Sequence, residues 1–353
     1  MSIQHILKEN AELEAQGLYS EENYKKLEKY EPILNSTGSK RFVLFPIVHD
    51  DLWKLYKKTE ESIWVAEDID YSKDISQWKK MNADQKFFVK HILAFFANFD
   101  TIVNENLALR FYADLQIQEA RFFYAFQLFI ENIHSETYSL MIDHFAESAD
   151  EKDQLFNAVE NYPALKKISD WALRWISSNA PLSNRIIAFA CLEGIMFSSA
   201  FCAIFYFKKL GLLPGMCHAN ELISRDEFTH TVCATIINSK LEHKAPYAVA
   251  LKIVKEAVDL IKEFATESLP CSLLGMNNED MKKYIEYVAD DLLHMLNYPK
   301  HYGTSNPFHF MDMISASNKT NFFERRVSEY RRPNMQKNSE STSTSTCGIL
   351  EDF

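Results

Sequence analysis

The chain is 353 residues long, with 38 Lys and Arg against 49 Asp and Glu, a formal net charge of −11, and no basic cluster beyond short runs such as Arg325–Arg326 and Arg331–Arg332. Charge spread in this way excludes a nucleic-acid partner, which needs phosphate-neutralising cations. Gly and Pro number 8 and 10 and neither occurs between Pro46 and Pro163, so a barrel or sandwich with its frequent turns is excluded in favour of long helices.

Residues 1–40 are polar, with a weak helical pattern and turn signals at Asn35–Gly38, and are read as an N-terminal arm. RFVLFPIV (41–48) is apolar and broken by Pro46; it is predicted to pack extended on the core before a helix from about His49 to Ala66, with Trp64 near the end of that helix. A long helix is predicted from about Asn82 to Arg110, opened by Asn82 and Gln85 as a reciprocal cap. On it Leu93, Phe96, Asp100, Val103 and Leu107 fall on one face at spacings of three and four. From about Gln116 to Ala146 a second helix repeats the device, with Phe123, Gln127, Glu131, His134, Tyr138, Met141 and Phe145 in one stripe.

Asp150–Tyr162 reads as a short helix ended by Pro163, and a further segment runs to Pro181. Ser183–Leu210 follows as a helix whose core, IIAFACLEGIMFSSAFCAIFYF (186–207), is long and apolar enough to span a bilayer but carries Glu193 near its middle. Ala219–Ser239 carries Ile223, Glu227, His230, Ala234 and Ile237 on one face. Two later helices, about 246–267 and 279–297, read as packing elements, TNFFERRVSEY (320–330) as a short ordered helix, and the Ser/Thr-rich stretch 333–348 as disordered. The six cysteines form no CxxC and several lie in apolar helical context, which fits buried thiols in a reducing compartment; MSIQHILKEN has no apolar signal-peptide core. A cytoplasmic protein with no membrane span is expected.

Two Glu-x-x-His pairs stand out, Glu131/His134 and Glu227/His230. At i and i+3 on a helix both side chains point the same way and can grip one ion, although roughly one such pair arises by chance at this composition. Context adds weight: Asp100, Glu131, Glu193 and Glu227 each sit in the middle of an apolar helical face, and two of those faces also carry a histidine. A bundle core cannot hold four unpaired carboxylates. The plain alternative pairs them with Lys or Arg, yet no basic residue lies on these stripes near them. Two divalent cations balance four carboxylates, and carboxylate with imidazole suits iron or manganese better than structural zinc. Tyr138 lies one turn beyond His134, and Phe197 and Phe201 lie four and eight residues beyond Glu193 on its face. A tyrosine beside a redox-active metal pair could be oxidised and its radical protected by such walls; taken singly, these rings are better explained as core.

These stretches resemble the small, radical-generating subunit of class I ribonucleotide reductase, of the eukaryotic type. The words that carry the resemblance are RFVLFPI (41–47), SIWVAEDIDYSKD (62–74), FDTIVNENL (99–107), ENIHSETYSLMID (131–143), AFACLEGIMFSSAF (188–201), GLLPGMCHANELISRDEFTH (211–230), NPFHFMDMIS (306–315) and KTNFFERRVSEY (319–330). The resemblance implies an all-α, ferritin-like long-helix bundle over residues 41–332 with a di-iron carboxylate core, and a flexible tail at 333–353. It implies that Asp100, Glu131, His134, Glu193, Glu227 and His230 ligate two iron ions, manganese being the lesser candidate, and that Tyr138 carries the radical. Trp64 and Asp226 would form, with His134, the inner part of an electron-transfer path, and Tyr330 would be the relay facing the large catalytic subunit. Leu350, Glu351, Asp352 and Phe353 would dock into a groove of that subunit, apolar groups as anchors and acidic groups setting orientation. A homodimer is implied as well. Ser315–Asn318 stands where relatives carry a Ser-Leu-Glu-Gly-like turn. Another di-iron oxidase would need neither the relay tryptophan nor the tail, and a non-catalytic partner subunit would show lost ligands.

Overall fold

The computed structural model describes residues 2–35, 43–106, 110–268 and 270–311. The readings made for 320–330, for Tyr330 and for the tail with Leu350, Glu351, Asp352 and Phe353 therefore lie outside the described residues. Within them the protein is helical with no strand, as the scarcity of turn residues implied. The labelled helices are α1 (Ile3–Ala15), α2 (Glu21–Leu27), α3 (Asp50–Glu61), α4 (Ser72–Trp78), α5 (Ala83–Asn106), α6 (Gln118–Phe145), α7 (Ala149–Phe156), α8 (Pro163–Ser177), α9 (Leu182–Lys209), α10 (Pro214–Ser239), α11 (Tyr247–Glu263) and α12 (Asn278–Met295). Asn157 breaks the helix expected over 150–162, leaving a separate turn at Ala158–Asn161.

Four long helices, α5, α6, α9 and α10, enclose the centre, and α3, α11 and α12 pack around them. The cap read at the start of α5 is present: Gln85 N donates to Asn82 Oδ1 at 2.8 Å and Asn82 N to Gln85 Oε1 at 3.3 Å. The apolar helix α9 is long enough to cross a membrane, but 94% of its most apolar stretch is buried inside the protein. Its apolar surface is used in the bundle core. One helical turn within it, Leu192–Met196, is a π-turn, a departure from the continuous α-helix expected there. Such one-residue insertions cluster at functional sites, and this one contains Glu193. Next to it, a Cβ on Gly194 would come within 3.2 Å of Thr231 Cγ2, so the glycine lets α9 lie close against α10.

The arm is tied to the bundle. Glu31, 2% exposed, accepts the main-chain N–H of Glu242 at 3.0 Å and of His243 at 2.7 Å, Ile33 O accepts Gln116 N at 2.8 Å, and Glu28 accepts the N–H of Leu182 at the start of α9. Two expectations for the next stretch need correction. Val43, Phe45 and Val48 do not pack on the core; they are 66%, 67% and 64% exposed, because the backbone runs across the N-terminal end of α6, where Glu119 accepts Val48 N at 2.8 Å. And α3 stops at Glu61, short of the predicted Ala66, so Trp64 lies in an irregular segment beyond the helix. The segment is held to α10 instead: Arg225 Nη2 donates to Ser62 O at 3.0 Å and Trp64 Nε1 to Asp226 Oδ2 at 2.8 Å. A further correction concerns α10, which begins at Pro214, five residues before the predicted Ala219, since Pro at the first helical position lacks only an N–H that has no partner within the helix.

Candidate metal centre

The four central helices bring Asp100 (α5), Glu131 and His134 (α6), Glu193 (π-turn of α9), and Glu227 and His230 (α10) to one place, all 2% exposed or less. They form two overlapping groups whose ligand atoms lie within 4.8 Å of one another: Asp100, Glu131 and His134; and Glu131, Glu193, Glu227 and His230. Glu131 belongs to both. His134 Nδ1 stands 3.3 Å from Glu131 Oε2 and 3.0 Å from Glu227 Oε1, while His230 Nδ1 stands 3.0 Å from Glu131 Oε1 and 3.0 Å from Glu227 Oε2. Both imidazoles therefore aim the same ring nitrogen into the carboxylates.

The electrostatics of these six groups are set by burial and by one another. Burial, reinforced by Glu131, pushes the carboxyl of Asp100 well above its usual range, and burial with Glu227 does the same to Glu193. Burial disfavours the charged imidazoles, but Asp226, Glu131 and Glu227 raise His134 well above its ordinary value, and Glu227 and Glu131 bring His230 to about 9. Burial likewise works to raise Glu227, but the facing His230 and His134 hold it below the ordinary carboxylate value. Asp100 Oδ2 and Glu193 Oε2 are fully buried and without a hydrogen-bond partner among the described residues. Orphaned carboxylate oxygens among deprotonable nitrogens are what a divalent cation completes, and the donor set of oxygens and imidazole nitrogens fits iron or manganese.

One residue was missed as part of this centre. Gln127, fully buried one turn before Glu131, donates from Nε2 to Glu193 Oε1 at 2.9 Å and to Glu131 Oε1 at 3.4 Å. It braces carboxylates from two helices without adding charge. Its place in the stripe was visible in the sequence; its role was not, since a buried Gln in a helix has no spacing signature.

On the far side of His134, Nε2 lies 3.3 Å from Asp226 Oδ2, the same oxygen that accepts the indole N–H of Trp64. The Trp64 and His134 rings are stacked 5.8 Å apart at 23°. Asp226 is buried, which would raise it, yet Arg225 and then His134 and Trp64 hold it below the usual value. An ionised Asp226 accepting from both would keep the His134 proton on Nε2 when Nδ1 gives up its own to hold a cation.

Tyr138 is 1% exposed, and its hydroxyl has no hydrogen-bond partner among the described residues. Burial, then the charges of Asp100, Glu227 and Glu131, raise it well above the ordinary phenol value. Phe96 covers the ring, parallel within 1° at 4.5 Å. Phe197 and Phe201, expected to wall this tyrosine, pack on the covering ring, at 5.6 and 5.0 Å from Phe96. A cavity of about 160 Å³ reaches Glu193 and Glu227, lined also by Ser198, Phe201, Thr231 and Tyr287.

The chain matches the family model "Ribonucleotide reductase, small chain" over residues 41–307. It is 52% identical over 302 residues to the ribonucleoside-diphosphate reductase small chain of Vaccinia virus (strain Ankara), a match covering 86% of this chain and 94% of the viral one. The ribonucleoside-diphosphate reductase small subunit of Dictyostelium discoideum is 48% identical over 341 residues, covering 94% of this chain and 100% of the other. Among solved structures, the ribonucleotide reductase Rnr4 homodimer from Saccharomyces cerevisiae aligns with a TM-score of 0.76 at 34% identity, covering 89% of this chain and 99% of that one.

Proposed function

This chain belongs to the ribonucleotide reductase small-chain family, and from that premise we propose that its buried centre holds two metal ions and oxidises Tyr138. The chain is a small subunit of ribonucleoside-diphosphate reductase, an oxidoreductase with a ferritin-like helical bundle. The observation that carries the finer reading is the convergence of four carboxylates and two imidazole Nδ1 atoms beside one buried tyrosine. Asp100, Glu131, His134, Glu193, Glu227 and His230 would hold the ions, with iron favoured over manganese. When bound, a ferrous pair would supply electrons to dioxygen and the oxidising power that removes one from Tyr138.

The remaining work falls to the chain's own residues. Among the charges that raise Tyr138, that of Asp100 weighs most after burial, and we assign Asp100 as the group that would receive the phenol proton. Phe96, backed by Phe197 and Phe201, keeps water and reductants from the ring. Trp64, Asp226 and His134 form a hydrogen-bonded chain away from the centre along which charge and proton can move together. We assign to it the inner part of the path to the large catalytic subunit, with Tyr330 as the outer relay and Leu350, Glu351, Asp352 and Phe353 as the docking residues. The protein would act as a homodimer, the state named for the Saccharomyces relative. A cytoplasmic location is part of the same reading, supported by the unpaired state of Cys191, Cys202, Cys217, Cys233 and Cys271.

The test is reconstitution with a large subunit. Iron-loaded wild type should reduce ribonucleoside diphosphates, and Trp64→Phe should keep its radical yet lose reduction. Undiminished turnover in Trp64→Phe would show that the path runs elsewhere.

A further inference from the structure

We propose that residues 62–78 form a strap laid antiparallel along α10, and that Asp74 is a positioning residue for Trp64, latched to α10 ten and eleven residues before Asp226, the carboxylate that accepts the indole N–H. The proposal rests on the reading of Trp64 as a relay. Its observations are contacts at both ends of one stretch of helix. At the inner end, Arg225 holds Ser62 O and Asp226 accepts the Trp64 indole N–H at 2.8 Å. At the outer end, Asp74, 0% exposed, accepts Gly215 N on Oδ1 at 2.9 Å and Met216 N on Oδ2 at 2.7 Å. Gln77 adds a third tie there, accepting Leu213 N at 2.6 Å and donating to Gly211 O at 3.3 Å. Between Leu213 and Asp226 the helix rises about 20 Å at 1.5 Å per residue.

Two features make the outer end a fixed stop. The first N–H groups of a helix have no partner inside it and carry its positive dipole end, so a buried carboxylate placed on two of them is held by charge as well as by hydrogen bonds. Gly215 permits the approach: a Cβ there would stand 2.5 Å from Asp70 O, inside contact distance with the strap's own backbone. Ten residues from Trp64 to Asp74 could reach well beyond the span they cover. The slack is taken up by internal turns, with Val65 N donating to Asp68 Oδ2 at 3.0 Å and Ser72 N to Asp70 Oδ1 at 2.9 Å. With both ends tied and the middle folded, the position of the indole over Asp226 depends on the register of the outer latch.

Asp74→Asn, which keeps one acceptor, Asp74→Ala and Gly215→Ala test this in the full-length protein. Amide hydrogen exchange, read by mass spectrometry on the metal-free chain, should accelerate in 62–71 together with 211–217, with α6 unchanged. Nucleotide reduction should fall about ten- to a hundredfold, the penalty of a misplacement near 1 Å, while iron content and radical yield stay at wild type. Faster exchange confined to 211–217, with 62–71 unchanged, would overturn the proposal, because Asp74 would then be only a helix cap. Wild-type turnover in Asp74→Ala beside an inactive Trp64→Phe would overturn the strap alone; wild-type turnover in Trp64→Phe would overturn the relay reading beneath it.

Discussion

Replacing Tyr138 by Phe should stabilise the metal-free protein while removing its function. The hydroxyl is buried at 1% exposure and has no hydrogen-bond partner among the described residues. A buried, unsatisfied polar group costs about 1–3 kcal/mol, and Phe keeps the ring stacked on Phe96 at 4.5 Å without it. With an unfolding entropy of about 2.1 cal/mol/K per residue, this chain has roughly 0.7 kcal/mol/K at its midpoint, so Tm should rise by about 1–4 °C. Thermal unfolding of the two metal-free proteins, followed by circular dichroism, measures this directly. A Tm lowered by more than about 1 °C would refute the reasoning, since it would mean that the hydroxyl makes a favourable bond and that the pocket is not dry.

Other consequences follow from the same geometry. Glu193→Ala removes a donor from the group with Glu131, Glu227 and His230 but leaves Asp100, Glu131 and His134 intact; metal analysis after gel filtration should find close to one ion per chain for the variant and two for the wild type. Loading should also release protons. Asp100, Glu193 and His134 lie above their ordinary values and His230 is raised to about 9 in the metal-free protein, and each must be deprotonated to bind. Affinity should therefore strengthen as pH rises toward 9 and weaken progressively below it; a pH-independent titration, or one that takes up protons, would contradict the assigned donors. Deleting residues 347–353 should abolish nucleotide reduction with the large subunit and leave the radical intact, as read by turnover and by paramagnetic resonance on one sample.

The long helices and the stripes that carry the centre were legible because burial imposes a period. Asp100, Glu131, His134, Glu193, Glu227 and His230 interrupt apolar faces at regular spacing, and the comparisons agree with the family their surroundings resembled. What escaped the sequence depends on backbone detail or distant partners. The π-turn at Leu192–Met196 shifts the register by one residue without any Gly or Pro break of its own to announce it beyond Gly194. From the sequence, α3 is expected to run on to about Ala66 with Trp64 near its end, whereas the indole is held beyond the helix by Asp226, 162 positions away. Glu31, Asp74 and Asp290 look like surface acids in sequence, yet each is buried and accepts main-chain N–H groups; Asp290 takes those of His301, Tyr302 and Gly303. The apolar run at 43–48 suggested burial, but composition cannot tell a core segment from one that leaves Val43, Phe45 and Val48 exposed.

The most direct measurement is a paramagnetic resonance spectrum and a metal count on the same sample, taken after ferrous iron and oxygen are added to metal-free protein. Two irons per chain should be found together with a tyrosyl radical signal, and that signal should be absent from Tyr138→Phe at an equal iron content. Two irons bound with no radical in the wild type, or a radical that survives the substitution, would contradict the assignment of Tyr138 as the residue this buried centre oxidises.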